Sequence, residues 1–225
     1  MTTKPPSKEL APQTADYIAS AAKGFLGAAP FVGSLLAELV GNVIPNQRID
    51  RIGRLAEKLE VKLGKLEQEF VKSQLTNMDF NDLFEEALRQ ASRATTEERL
   101  EYIADLIANS LSQGEIDYIE SRHLLNILSE LNDLEIVWLS LYLNRSAKGT
   151  VEFREKHRAI LVPRGTFEKA ALQASYLDHL ERLGLLKPTE SFIAKIDRFA
   201  RNPKNLGHKN TTLGRLLLSR IGISS

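Results

Sequence analysis

The chain has 225 residues, 43% of them hydrophobic and 26% charged, which are ordinary globular values with length enough for one large domain or two small ones. It contains no cysteine, so disulfides, thiol catalysis and cysteine-type zinc sites are all excluded. A formal net charge of +1 hides a split, because residues 1–144 carry 14 Lys/Arg against 22 Asp/Glu and residues 145–225 carry 16 against 7.

Residues 1–13 are polar, hold three prolines and lack the apolar run of a signal peptide, so a disordered tail is expected. The next stretch is the most distinctive. Gly24 to Gln47 is apolar and glycine-rich, is broken by Pro30 and Pro45, and has Glu38 as its only charge. Its uncharged run from Gly24 to Ala37 is 14 residues long, with Pro30 inside it. A single-pass helix needs about 20 apolar residues and no interior proline. Two short apolar helices are expected instead, one from a Thr14 cap to Leu26 and one from Pro30 to Ile44.

Phe25, Leu26, Phe31, Val32, Leu35, Leu36, Leu39 and Val40 supply the apolar surface of this hairpin. Gly33, Ala37 and Gly41 recur every four residues, a spacing that lets two helix backbones approach closely. Burying each large side chain contributes roughly 1.5–3 kcal/mol, so such a stripe demands cover. Two readings follow. The hairpin is the centre of a helical bundle, or it is masked at rest and later inserts into a membrane or joins a homo-oligomer.

A long helix is predicted over 47–72, where Ile49, Ile52, Ala56, Leu59, Leu63, Leu66 and Phe70 follow a 3-4 spacing. That is a heptad seam of the coiled-coil type, weakened by Gly53 and Gly64. Asp79 is the expected cap of a helix through Ala94, burying Phe80, Leu83, Phe84, Ala87, Leu88 and Ala91. Thr95 and Glu98 form a candidate capping box for a helix to Leu111, with Leu100, Ile103, Ala104, Ile107 and Ala108 inward. Another helix is predicted from Glu115 to Leu131, and Asn132 with Glu135 forms a second capping box for a helix through Tyr142.

The last third reads differently. Residues 144–149 form a linker-like turn, and Ile160-Leu161-Val162 suits a short strand before Pro163. Thr166–Leu183 is helical and closes at Gly184; Leu185–Pro188 is expected to pair with Phe192–Ile196. Residues 198–209 read as an exposed basic loop, and Thr212–Ile221 as a final helix ending at Gly222. The fold class is therefore mostly α: a disordered tail over 1–13, a helical bundle over 14–144, and a basic winged-helix-like unit over 145–225.

Reaction centres are not visible. HExxH, GxSxG, a phosphate loop and GxGxxG are all missing, and His123, His157, His179 and His208 stand at no ligand spacing. A di-iron bundle needs Glu-x-x-His twice, and Glu120 with His123 gives one copy. No catalytic residue, metal or cofactor is expected. Lys195, Arg198, Arg201, Lys204 and Lys209 are the candidate nucleic-acid contacts, against a merely solvated or acidic-partner surface.

From Arg99 onward a family pattern emerges. Tyr102, Leu106, Ile107, Ala108 and Asn109, then Ile127, Leu128, Leu131, Leu134 and Glu135, resemble two themes of the bacterial abortive-infection alpha domain family. The ending KNTTLGRLLLSRIGI, with Thr212, Leu213, Gly214, Leu217 and Gly222, is similar to that family's ending. The chain departs from the pattern at Ser129 and at Asn132-Asp133. The resemblance implies a part in bacterial defence against phage and brings no catalytic residues with it.

The functional expectation is a non-enzymatic phage-defence or abortive-infection protein, cytoplasmic and peripheral to the membrane on activation, whose apolar hairpin is a conditional membrane or oligomerisation element. The alternatives are a winged-helix DNA-binding regulator using the basic unit, and a scaffold dimerising through the heptad seam.

Overall fold

A computed structural model describes residues 48–74, 76–112, 118–143, 167–189 and 208–223. Among these residues are eight helices and one two-stranded sheet. In chain order they are α1 (Ile49–Leu63), α2 (Gln68–Gln74), α3 (Met78–Arg93), α4 (Glu97–Ser112), α5 (Tyr118–Glu130), α6 (Asp133–Leu141), α7 (Phe167–Arg182), β1 (Leu186–Pro188), β2 (His208–Asn210) and α8 (Thr212–Arg220). The fold is mostly helical. The tail, the apolar hairpin, the Ile160–Val162 strand and the Phe192–Ile196 strand all lie outside the described residues. Two compact units divide between Arg122 and His123, inside α5.

The core of the first unit is a mutual packing of α1, α3 and α4. Ile52, Ala56, Leu59 and Leu63 of the heptad seam are buried within the chain, joined by Leu55. From α3 come Phe80, Leu83, Phe84, Ala87, Leu88 and Ala91, the six side chains its periodicity assigns to the core. From α4 come Leu100, Ile103, Ala104, Leu106 and Ile107, while Ala108 is half-buried.

Charge fixes the direction of these helices. Arg54, Lys58 and Lys62 of α1 face Glu97, Glu101 and Asp105 of α4, each set spaced by four residues. Lys58 Nζ lies 2.9 Å from Glu101, and Lys62 Nζ lies 2.5 Å from Glu101 and 2.6 Å from Asp105. Residue numbers rise together on both sides, so α1 and α4 run parallel. Helix α3 runs the other way, because Arg51 at the start of α1 donates to the carbonyl of Ser92 at the end of α3, 3.0 Å away. A cation on that last turn also complements the helix dipole.

Several local expectations are corrected. The predicted helix over 47–72 is two helices, since α1 stops at Gly64 and α2 starts at Gln68. Glycine is a poor helix former, and past it Leu66 is half-buried and Phe70 exposed, so the seam loses its cover there. The cap of α3 is Asn77, not Asp79, because the Asn77 side chain accepts from the backbone N–H groups of Asp79 and Phe80. The hydroxyl that caps α4 belongs to Thr96 and not Thr95, accepting from the Arg99 N–H at 3.2 Å.

In the second unit α7 packs on α6 and β1, and α8 packs on β2. Asn132 forms the expected capping box with Glu135. Helix α7 ends as expected at Gly184, whose φ is +69°. The N–H groups of Gly184 and Leu185 donate to the carbonyls of Glu181 and Leu180, the paired bonds that close a helix on a left-handed glycine. This turn aims the chain into β1. Its described partner is β2, antiparallel, with Leu186 opposite Asn210, Lys187 opposite Lys209 and Pro188 opposite His208. Residues 208–210 are thus strand and not the end of a loop.

Candidate functional site

Lys209 is the one candidate nucleic-acid contact among the described residues. The other four, Lys195, Arg198, Arg201 and Lys204, lie outside them, as do all eleven hairpin residues from Phe25 to Gly41 named above. The site that can be built is therefore the sheet of the second unit and the polar groups behind it.

Alternation along the strands sorts its side chains. Leu186 and Asn210 face the interior and are buried, whereas Lys187 and Lys209 are exposed and directly opposite one another. Like charges at such a cross-strand pair oppose pairing. Neither ammonium has a carboxylate partner among the described residues. A third cation stands close by, for Arg215 of α8 points a guanidinium N–H at the carbonyl of Asn210, 3.4 Å away. Sequence reasoning alone misses Lys187. The signal that finds it is the period-2 position in Leu186-Lys187-Pro188 once β2 is known to be its partner.

Behind the sheet two histidines brace α7. Glu135 is 3% exposed; its Oε1 lies 2.7 Å from His179 Nδ1 and its Oε2 accepts from the Asn132 N–H at 2.9 Å. On the far side of α7, Glu181 Oε1 lies 2.5 Å from His208 Nε2. Each contact is an ion pair when the histidine is protonated and a hydrogen bond when it is neutral. Tyr142 sets its ring edge-on to His208 with centroids 5.9 Å apart. Burial, and then the Glu181 carboxylate, push its hydroxyl up to about 12, so it stays protonated. This cluster ties α6, α7 and β2 together; its chemistry is structural bracing.

Asn210 is 4% exposed, with neither side-chain atom hydrogen-bonded. Gln173 Nε2 is likewise buried without a partner. Glu120 and His123, the single Glu-x-x-His copy, are both exposed on α5. Among the described residues no group of three or more His, Asp or Glu side chains is placed to hold a metal, and no helix is long and apolar enough to cross a membrane. Comparison with protein-family models, with curated proteins and with solved structures finds no match for this chain.

Proposed function

We propose that this chain is a non-enzymatic protein of bacterial phage defence, of the abortive-infection type, whose apolar N-terminal hairpin acts as a conditional membrane-active or oligomerising element. The observation that carries the reading is Gly214, in the ending that resembles the abortive-infection alpha family. A Cβ at that position would lie 2.3 Å from the carbonyl oxygen of Leu185, so the helix start must be glycine for α8 to dock on the turn after α7. The resemblance thus coincides with a tight backbone constraint, a more specific match than shared apolar residues. Leu106, Ile107, Ile127, Leu128 and Leu131 of the other two themes are buried, and Glu135 is both capping residue and partner of His179.

The hairpin's part in this reading rests on its apolar, glycine-rich sequence; the first unit's described core is built without it. Helices α1, α3 and α4 pack against each other on their apolar faces. The second unit is in this reading winged-helix-like, the order α7, β1, β2, α8 with a basic connection between the strands being that of a helix followed by a wing. The protein acts in the cytoplasm and reaches the membrane face on activation.

The test is phage challenge of cells carrying the chain, together with leakage of dye from anionic liposomes by the purified protein. Leu35→Gln with Leu36→Gln places two amides on the apolar stripe and is expected to abolish both protection and leakage while circular dichroism is unchanged. A double variant that protects as well as wild type removes the hairpin mechanism, and a wild type without protection removes the defence reading.

A further inference from the structure

The sheet of the second unit presents cations where sheet stability alone disfavours them. We propose that the exposed face of the β1–β2 ribbon, with Lys187, Lys209 and Arg215, binds the phosphate backbone of duplex DNA, and that the ribbon rather than helix α7 makes this contact. The inference is independent of the defence reading.

Three observations carry it. First, Lys187 and Lys209 are directly cross-strand, both exposed, and neither is offset by a carboxylate among the described residues. Two ammonium groups held about 5 Å apart at their Cβ atoms repel, and a bridging or flanking pair of phosphates relieves that repulsion. Second, the acid nearest in connectivity is turned away. Glu181 is engaged by His208, and His208 precedes Lys209 on the strand, so the two strand residues point to opposite faces. Third, the exposed side chains of α7 argue against that helix as the contact. Among the α7 side chains whose exposure the structure describes, they are Glu168, Ala171, Leu172, Ser175, Asp178 and Arg182, two acids and one cation, a surface less cationic than that of the ribbon.

A two-stranded antiparallel ribbon is of a size the major groove admits, and lysine serves there as a point charge on the backbone with no sequence preference. Neither strand exposes a large apolar side chain, as Lys187, Pro188 and Lys209 are their exposed residues. That favours a nucleic-acid phosphate over a lipid surface, which would want an apolar anchor beside the charge.

The experiment is fluorescence anisotropy of a labelled duplex of about 25 base pairs with the full chain across a salt series. The comparison is wild type, Lys187→Gln/Lys209→Gln, the charge-keeping Lys187→Arg/Lys209→Arg, and Lys65→Gln/Lys72→Gln, which removes two exposed lysines of the first unit. The Gln pair on the ribbon is expected to weaken binding and to reduce the salt slope of log K by about 1.8, which is about 0.9 for each phosphate no longer neutralised. The Arg pair and the first-unit pair are expected to keep the wild-type slope. Circular dichroism checks that each variant is folded, and the Arg pair preserves the test if the Gln pair is not. The proposal is overturned by an equal weakening in both Gln pairs, by an Arg pair that is folded and does not bind, by a wild type that does not bind the duplex, or by binding to phosphatidylglycerol vesicles alone.

Discussion

At Gly184 the backbone sits at φ +69° with open space where a side chain would go, whereas Gly214 lies in the first turn of a regular helix and has no space at all. The two glycines therefore fail differently. Gly184→Ala meets only left-handed strain and should cost about 1–2 kcal/mol. Gly214→Ala drives a methyl group into the Leu185 carbonyl, which also accepts from the Thr211 N–H at 3.0 Å and cannot move freely. That substitution should cost about 3 kcal/mol or more. Trp138, the single tryptophan, is buried in the same unit and gives the readout: the fluorescence melt should fall further for Gly214→Ala than for Gly184→Ala. Gly184 was legible as a helix stop because its neighbours in sequence create the need. Gly214 was legible only as a matching letter, since the obstacle comes from a residue on another element.

Elements in the first unit are held by packing below and a graded charge ladder above. Burial works against the charge of both Lys62 and Glu101, yet their partners outweigh it. Asp105 and Glu101 hold the Lys62 ammonium above its ordinary 10.5, while Lys62 and Lys58 hold the Glu101 carboxyl below its ordinary 4.5. A carboxyl lowered in the folded state contributes stability above its unfolded value and loses it as pH falls through the folded one. An ammonium raised in the folded state contributes below 10.5 and loses that contribution as pH rises through its folded value. The ladder thus stabilises between roughly pH 5 and 10 and weakens outside. Glu101→Gln should cost about 1 kcal/mol at pH 7, because the pairs are partly solvated, and should cost much less at about pH 3 or in ~1 M salt. Urea midpoints at the two pH values check it. Periodicity predicts all six buried apolar side chains of α3 and most of those of α1 and α4, where Leu55 and Leu106 are buried in addition and Ala108 is only half-buried, since a stripe is a property of one helix. It leaves open where the seam's cover comes from, and the answer is α3 and α4 of the same chain.

Over the whole chain, charge is distributed so that one end of the sequence is acidic and the other basic, with a total of +1 and a pI near 7.9. Molecules of this kind repel one another weakly as monopoles, while opposite regions on different copies attract. Light scattering near pH 8 should therefore show self-association at ~20 mM salt that is relieved at ~200 mM, where the screening length is below about 10 Å. The helical class was legible because capping boxes, glycine stops and apolar stripes are local signals. The pairing of β1 was not, since its described partner lies past a long connection and a three-residue strand carries almost no periodicity. The basic site was half legible for the same reason: Lys209 stood in a cationic run, and Lys187 gains meaning only from its register.

In the α1–α4 ladder, Arg54 with Glu97, Lys58 with Glu101 and Lys62 with Asp105 each join residues 43 positions apart. During synthesis α1 leaves the ribosome before the helix it lies against does. At about 5–20 residues per second that interval lasts roughly 2–9 seconds, with Ile52, Leu55 and Leu59 lacking their native neighbours. Until α3 and α4 follow, those side chains stay uncovered, and slower translation across α3 prolongs the wait in proportion.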